Sequence, residues 1–381
     1  MTIDESLQNR LAALRTALRG ADALLVSNLA NVRYLTGFNG SEGHIIVTGK
    51  DALFITDSRY GKDALGEAGR LYETVIMKGP LEKTVARLCR RLAVRKPAFE
   101  KTVSYAFYEK LRRVFGAEVI PLGGVVERVR AVKDDYEVGC IRGAVRRAED
   151  AFNEVKGFIR PGVTEKALAL RLEEAILKKG SLKPAFPAIV ASGENSAVPH
   201  ARPTGRKIAP GDLVVIDWGA EYGGYCSDMT RTFLVGGGQK GHRKDLRLAE
   251  KRKIYRVVLD AQSRAIAFLG EAYSKGAGVG GYRGKRPKDI DNSARYVIKQ
   301  AGYGENFGHS LGHGIGLEVH EQPGLSPRPG ENKPLARGTV FTIEPGIYVP
   351  GLGGVRIEDM VYLAQGRPEV LTRLPKGKSG I

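Results

Sequence analysis

The spacing of apolar residues predicts helices and strands in alternation over roughly the first third of the chain. Leu7, Leu11, Leu14 and Leu18 step by four, three and four residues, which predicts an amphipathic helix ending at Gly20. Strand patterns then cover residues 23–26, 44–47, 52–56, 72–77, 98–99 and 118–121, and helical patterns cover residues 59–67, 81–92 and 107–115. Such alternation is typical of an α/β domain.

The remainder of the chain repeats a different order, two long helices followed by strands. A polar, charged segment, residues 125–135, precedes it, and there we place the boundary between domains of residues 1–127 and 128–381. Helical patterns cover residues 136–159, 164–179, 245–269 and 289–301, and strand patterns cover residues 188–191, 213–218 and 230–235 and recur from the histidine-rich stretch to Leu363. The repeat predicts an internally duplicated α+β domain.

The histidine-rich stretch, residues 307–320, reads FGHSLGHGIGLEVH and contains three of the six histidines of the chain. His309 and His313 have helical spacing, but the interspersed glycines disfavour a helix. Glycine permits close backbone approach, so the stretch suits a wall that passes near an ion or a substrate. The alternating residues 315–319 predict that it enters a sheet.

Four acidic residues are predicted to lie on separate apolar strands, where an uncompensated carboxylate is costly. Asp217 and Asp228 have a spacing that fits two facing strands of a hairpin, and Glu344 and Glu358 follow similar segments downstream. Each alone could be a buried carboxylate held by amide donors or a salt bridge. Together with a histidine, their four negative charges could be neutralised by two divalent ions, which would activate water and polarise a carbonyl group.

Composition narrows the class of protein. With 381 residues and 42% apolar content, the chain can build full cores in about two to three domains. It shows neither a secretory signal nor a run of about 18 apolar residues, so we expect a cytoplasmic protein without a membrane partner. Cys89, Cys140 and Cys226 lie far apart, which fits reduced thiols better than disulfides or a cysteine metal site.

The net charge of +18 raises the question of a nucleic-acid partner. The charge is dispersed, however, and its densest run, residues 240–256, has the spacing of a solvated helix face without aromatic interleaving. We therefore do not expect nucleic acid as the main partner. A Gly-rich connector with five basic residues, residues 270–288, fits a surface loop, or alternatively a basic tether for a partner.

Five residues carry a resemblance to a known family. Asp217, Asp228, His313, Glu344 and Glu358 resemble, in order and local context, the metal ligands of the pita-bread metallopeptidases, which include methionine aminopeptidase, prolidase and Xaa-Pro aminopeptidase. The segments VSNLANVRYLTGFNGSEG and ALFITDSRY are similar to the N-terminal domain of prolidases and Xaa-Pro aminopeptidases. The resemblance implies a creatinase-like α/β N-terminal domain and a pita-bread α+β catalytic domain with pseudo-twofold duplication.

The resemblance also implies a role for each ligand. Asp217 would chelate one ion, Asp228 and Glu358 would bridge two, and His313 and Glu344 would hold the second. Glu344 would also move the proton of the attacking water. Oxygen-rich ligation with one imidazole favours manganese, with cobalt or zinc as alternatives.

Other family positions concern the substrate. His200, His309 and His320 match non-ligand histidines that orient substrate and stabilise the tetrahedral intermediate. Arg356 matches an arginine that steadies the bridging carboxylates. By the same resemblance, the first domain would serve to form a homodimer and to restrict the cleft to short peptides.

The implied reaction is hydrolysis of the bond between an N-terminal residue and a following proline. Similar prolidases often have an arginine four positions after the last histidine, to hold the carboxylate of a dipeptide, and here that position is Gly324. We therefore favour an Xaa-Pro aminopeptidase, with an Xaa-Pro dipeptidase (prolidase) as the alternative. A creatinase-like enzyme or a non-catalytic binding protein of the same fold is a remoter alternative.

Overall fold

The computed structural model describes residues 2–18, 20–61, 64, 66–236, 246–273, 283–328, 330 and 332–376. The chain forms two compact units, Met1–Arg130 and Ala131–Ile381. Among the helices of these described residues, none combines the length and the apolar character that a membrane crossing requires.

The first unit contains a mixed six-stranded sheet. Its strands are β1 (Ala23–Val26), β2 (His44–Thr48), β3 (Ala52–Thr56), β4 (Glu73–Ile76), β5 (Pro97–Glu100) and β6 (Ile120–Leu122). They lie in the order β4-β3-β2-β1-β5-β6, and the β1–β2 and β2–β3 pairs are antiparallel whereas the other pairs are parallel. The helices are α1 (Ile3–Ala17), α2 (Leu29–Thr36), α3 (Leu81–Arg91), α4 (Tyr105–Phe115) and α5 (Val125–Arg130).

Local sequence explains where these helices begin. The side chain of Thr2 accepts a hydrogen bond from the backbone of Glu5, whose carboxylate accepts one in return, so a capping box starts α1. Asn28 caps α2 in a similar way through its side-chain oxygen, and Gly37 ends that helix with a positive φ of 74°. We did not predict α2, because eight residues give little periodicity.

One further prediction for this unit was wrong. Residues 59 and 60, at the start of the helix predicted over residues 59–67, belong to a turn, and a short 3₁₀ helix covers Gly66–Arg70; residues 62, 63 and 65 lie outside the described residues. Within the polar segment that we assigned to the domain boundary, Val125–Arg130 folds as α5 and buries Val125, Val126 and Arg130. Because of its charged residues, the segment resembled a solvent-exposed linker, and the sequence did not predict the buried face of α5.

Among the described residues, the second unit contains two larger sheets and two two-stranded hairpins. The first sheet has the antiparallel order β11-β8-β7, with β7 (Ile189–Ser192), β8 (Leu213–Trp218) and β11 (Met229–Leu234). A small hairpin beside it in sequence consists of β9 (Glu221–Tyr222) and β10 (Tyr225–Cys226). The second sheet contains β12 (Gly312–Gly314), β13 (Glu321–Leu325), β14 (Val340–Ile343), β17 (Asp359–Leu363) and β18 (Pro368–Val370) in the order β13-β12-β14-β17-β18, with β15 (Gly346–Val349) and β16 (Gly353–Arg356) as a hairpin.

Each sheet packs against its own pair of helices, as the repeat in the sequence predicted. Buried side chains of α6 (Asp135–Val155) and α7 (Glu165–Lys178) share a core with β8, including Trp218. Those of α8 (Leu246–Gly270) and α9 (Pro287–Gln300) share a second core with β14, including Phe341. The backbone N–H of Glu358 donates to the carbonyl oxygen of Thr230 at 3.1 Å and joins the two sheets.

The prediction of a strand over residues 315–319 was wrong. The strands are β12 and β13, and residues 315–320 form the turn between them. Gly316 explains the tightness of this turn, since a Cβ there would lie 2.7 Å from the Glu321 carboxylate. In the basic run, residues 240–245 lie outside the described residues and residues 246–256 belong to α8; in the Gly-rich connector, residues 274–282 lie outside.

Candidate active site

The predicted site residues line one cleft of the second unit, with a volume of about 410 Å³. Apolar side chains of Phe186, Ile189 and Val319 form another part of its wall, and Gly324 also lines it. The predicted residues in the lining are His200, Asp217, Asp228, His309, His313, His320, Glu344, Arg356 and Glu358.

The acids reach the cleft from the ends of strands. Strands β8 and β11 form the predicted hairpin, with Met229 opposite Trp218, so Asp217 near the end of β8 and Asp228 just before β11 come to the same end of the sheet. Glu344 directly follows β14, and Glu358 directly precedes β17. Only Asp217 of the four lies inside a strand, although we predicted a strand position for each.

His313 turns its unprotonated nitrogen towards the acids. Its Nδ1 lies 3.0 Å from the carbonyl oxygen of Gly314 and must donate the proton there, which leaves a lone pair on Nε2. That Nε2 lies 3.6 Å from Oδ2 of Asp228 and 3.4 Å from Oε1 of Glu344. Burial lowers the pKa of His313 to about 4, so the imidazole is neutral and its lone pair faces carboxylate oxygens. A cation between them would turn this repulsion into attraction.

Two buried oxygens in the cleft have no hydrogen-bond partner among the described residues, Oδ1 of Asp217 and Oε1 of Glu358. The other oxygen of each carboxylate is hydrogen-bonded. Oδ2 of Asp217 accepts from Arg356 at 2.7 Å, and Oε2 of Glu358 accepts from the Thr230 hydroxyl at 2.7 Å. Donor atoms of Asp228, His313 and Glu358 lie within 4.8 Å of one another. The set therefore fits bound divalent cations.

Burial sets the charge state of these acids. It raises the pKa of Glu344 to about 8, although Arg356 opposes the shift. It also raises the pKa of Asp228 and Glu358 well above their ordinary values, and neighbouring carboxylates add to both shifts. Because the protein alone cannot keep all these groups ionised at neutral pH, divalent cations would complete the cluster.

Arg356 connects the acids to the wall of the cleft. Besides Asp217, it donates from Nη1 to the Tyr348 hydroxyl at 2.8 Å and to the carbonyl oxygen of Pro199 at 3.1 Å. It reaches Glu358 only through the Thr230 hydroxyl, which accepts from Nε at 3.2 Å. Arg356 therefore steadies Asp217 directly, whereas the resemblance implied that it steadies the bridging acids.

Tyr348 is a site residue that sequence reasoning missed. It lies in β15, in the segment GIYV, which has the appearance of an ordinary buried strand. Its hydroxyl lies 3.0 Å from Nε2 of His309, while Nδ1 of His309 lies 2.8 Å from the carbonyl oxygen of Ser310. Burial lowers the pKa of His309 to about 4, so the ring is neutral and both of its nitrogens are engaged by protein groups.

The other two predicted histidines are more accessible. His200 is exposed on the loop that precedes β8, and His320 is exposed at the end of the β12–β13 turn. The ring centroid of His320 lies 4.3 Å from that of His313. The histidine-rich stretch thus presents one neutral imidazole to the acids and one accessible imidazole to the cleft.

Comparison with known proteins extends these findings to nearly the whole chain. Residues 139–365 match the family described as Metallopeptidase family M24, and residues 10–132 match the Creatinase/Prolidase N-terminal domain. An uncharacterised peptidase of Bacillus subtilis is 38% identical over 98% of this chain and 98% of its own length.

Solved structures agree with this assignment. An Xaa-Pro dipeptidase from Bacillus anthracis superposes with a TM-score of 0.87 at 38% identity and covers 97% of this chain and 99% of its own. An X-Pro aminopeptidase from Thermotoga maritima superposes with a TM-score of 0.79 at 36% identity and covers 95% of this chain and 98% of its own.

Proposed function

Because the chain belongs to metallopeptidase family M24, we propose that it acts as an Xaa-Pro aminopeptidase, which releases the N-terminal residue from peptides with proline in the second position. Membership in the family confirms the predicted resemblance, the two-part fold and the assignment as a metallopeptidase. The aminopeptidase specificity is the finer step, and it rests on the shape and charge of the cleft.

Gly324 carries the choice of an aminopeptidase. A dipeptidase needs a cation to hold the carboxylate of proline, and Gly324, which lines the cleft, offers no side chain for it. A Cβ built at Gly324 would meet no heavy atom within 4 Å among the described residues. The open side leaves room for the chain of a longer peptide.

The five proposed ligands would hold two divalent ions. Asp217 would chelate one, Asp228 and Glu358 would bridge both, and His313 and Glu344 would hold the second. Such ions, when bound, lower the pKa of water and polarise the scissile carbonyl. Oxygen-rich ligation with one imidazole favours manganese over cobalt or zinc.

The remaining chemistry falls to side chains of the cleft. The carboxylate of Glu344 accepts the proton of the attacking water and passes it to the proline nitrogen, which has no hydrogen of its own. His200 and His320, the accessible histidines, orient the peptide and stabilise negative charge on its carbonyl oxygen. His309 donates from Nδ1 to the Ser310 carbonyl and accepts at Nε2 from the Tyr348 hydroxyl, so it would shape the wall beside the substrate.

The second candidate is an Xaa-Pro dipeptidase. The observation that favours it is the close superposition with the solved structure of the Bacillus anthracis protein, which has that name. An arginine elsewhere in the cleft would then have to hold the carboxylate of the substrate.

One experiment separates the two candidates. Hydrolysis of an Xaa-Pro dipeptide and of the matching Xaa-Pro-Yaa tripeptide is compared with manganese present, and the tripeptide is expected to give the higher kcat/KM. A higher kcat/KM for the dipeptide would instead assign the dipeptidase activity. Failure to hydrolyse either peptide would contradict both candidate functions. A Gly324→Arg variant should shift the preference towards the dipeptide.

Assembly and location are separate proposals. By family resemblance we propose a homodimer, which a monomeric mass in light scattering would contradict. A cytoplasmic location is proposed likewise, and cell fractionation tests it.

A further inference from the structure

One loop brings His200 to the cleft. We call residues 192–206 the His200 loop; it leaves the end of β7 and returns towards β8, and it presents Pro199 and His200 to the lining of the cleft. A loop that presents a substrate-binding side chain must be held in place by the rest of the fold. The contacts that hold this loop, at its base and along its length, therefore fix where His200 lies.

The carboxylate of Glu165 holds the base of this loop, alongside Arg206, which donates to the Ser192 hydroxyl at 2.7 Å and to the Asp212 carboxylate at 2.6 Å. Glu165, the first residue of α7, is fully buried. Its Oε1 accepts from the backbone N–H of Ser192 at 2.7 Å and from the Ser192 hydroxyl at 2.8 Å. Its Oε2 accepts from the backbone N–H of Thr204 at 2.9 Å and from the Thr204 hydroxyl at 2.6 Å. The side-chain amide of Asn195 lies 3.1 Å from each oxygen.

These contacts use both oxygens and connect the two ends of the loop with its middle. The backbone N–H of Glu165 also donates to the carbonyl oxygen of Arg206 at 3.1 Å. Burial alone would raise the pKa of Glu165, but the hydroxyl and amide donors of Thr204 and Ser192 outweigh it and lower the pKa below its ordinary value. The side chain is thus an anion at neutral pH, when each donor is attracted to it.

The far side of the loop has its own anchors. The Ser196 hydroxyl accepts from the backbone N–H of Gly354 at 2.8 Å, and Pro199 accepts from Arg356. Arg356 belongs to the catalytic cleft, whereas Glu165 does not line it. Glu165 therefore acts on the loop from outside the site.

We propose that Glu165 is a positioning residue for the reaction, because its carboxylate fastens both ends of the His200 loop and thereby fixes His200 against the substrate. The inference rests on the proposed function, in which His200 contacts the peptide. Replacement by glutamine keeps the shape but directs an NH₂ group at the donors of Thr204 or Ser192, and replacement by aspartate keeps the charge but shortens the reach.

The first test measures the loop without using activity. Amide hydrogen exchange is compared in Glu165→Gln and in the control Glu173→Gln; Glu173 lies on the same helix and accepts from the backbone N–H of Ala188 at 2.9 Å. Loss of charge-assisted hydrogen bonds should speed exchange across residues 192–204 by about 10- to 100-fold in Glu165→Gln only. Equal exchange in the two variants would overturn the proposal.

The second test asks whether the effect passes through His200. Glu165→Gln should lower kcat by about 10- to 100-fold, because small misplacements of catalytic groups have effects of this size, and Glu165→Asp should lower it less. In a His200→Ala background, the same change should lower kcat by less than about 3-fold, since coupled residues are not additive. Metal content and the thermal midpoint are measured for every variant.

The outcomes separate this inference from the proposed function. The same loss in both backgrounds would mean that Glu165 acts through general stability, and full activity of Glu165→Gln would also overturn the inference. A His200→Ala variant with unchanged kcat would overturn it as well, while leaving the hydrolase assignment intact. If the unaltered protein hydrolyses no Xaa-Pro peptide, the proposed function itself fails.

Discussion

Two groups of buried acids in the second unit have opposite surroundings. Glu165, at the base of the His200 loop, accepts hydrogen bonds on both oxygens, and its pKa lies below the ordinary value. In the cleft, Glu358 keeps one oxygen without a partner among the described residues, and the pKa values of Glu358 and Asp228 are raised. Burial does not distinguish the groups, since Glu165 is 0%, Glu358 1% and Asp228 5% exposed.

The number of donors distinguishes them. A carboxylate surrounded by N–H and O–H groups is complete within the protein and holds structure together. A carboxylate buried among other carboxylates is incomplete, and it becomes stable as an anion only with a cation. Burial of an acid therefore indicates a cation site only when its oxygens lack donors.

We call the cleft acids whose oxygens lack hydrogen-bond donors the donor-poor group. The largest expected effect comes from removing one of these acids. Asp228→Ala should reduce turnover below detection while the fold remains, because the proposed bridging ligand is lost. Peptide hydrolysis and circular dichroism measure the two parts, and Asp150→Ala, at an exposed position of α6, is the control. Full turnover by Asp228→Ala would contradict the bridging role.

Removal of the metal should reveal how far the donor-poor group lowers the stability of the folded protein. The pKa of Glu344 is raised from 4.5 to about 8, so its contribution to the stability of the metal-free protein is present below about pH 4.5 and is lost as the pH rises to about 8. The thermal midpoint of chelator-treated protein should therefore fall over this range. Manganese at about 100 times its Kd should restore about 2.7 kcal/mol.

Scanning calorimetry with and without manganese makes this measurement. The fall should be shallower in metal-free Glu344→Gln, which lacks the titrating group. Equal pH dependence of the metal-free and the manganese-loaded protein would sink the idea that cations complete the cluster.

Arg356 supplies a donor to the donor-poor group, so changing it sharpens the comparison. Lysine keeps the charge but cannot contact Asp217, Tyr348 and Pro199 at once. Arg356→Lys should lower activity or metal affinity by about 10- to 100-fold. Enzyme kinetics and metal titration measure the two quantities. Tyr348→Phe, which removes only the hydroxyl, should reduce activity and metal affinity less. An Arg356→Lys variant with unaltered kinetics and metal affinity would contradict the proposed role.

The smallest expected effect is a difference in the free energy of unfolding between a variant of each group. In the metal-free protein, Glu165→Gln should lower the free energy of unfolding by about 2 kcal/mol, because it disrupts hydrogen bonds to a charged group. Asp228→Asn should leave that free energy unchanged or raise it, because it relieves repulsion among carboxylates. Urea unfolding measures both, and an equal loss in the two variants would break the distinction between the groups.

The sequence predicted the larger elements and the acids of the cleft for physical reasons. Long amphipathic helices such as α6 repeat their apolar positions often enough to be recognised, whereas α5, with six residues, does not. Asp217 stood out because a carboxylate at the end of an apolar strand is costly. These signals depend only on neighbours along the chain.

Donor counts depend instead on residues distant in sequence, and here sequence reasoning failed. Glu165 follows the N-cap Thr164 and resembled an ordinary acid in a first helical turn, although the partners of its carboxylate lie up to 39 positions away. Tyr348 resembled an ordinary residue of a buried strand, although its hydroxyl connects Arg356 and His309.

The hydrogen bond from Glu358 to Thr230, which joins the two sheets, has a consequence for biosynthesis. The first sheet brings Asp217 and Asp228, and the second brings His313, Glu344 and Glu358, so neither half holds the proposed ligand set alone. A nascent chain on the ribosome remains without a hydrolytic centre until residues through Glu358 have emerged and the halves have docked. Proteolytic activity would therefore begin only when both halves have folded and docked.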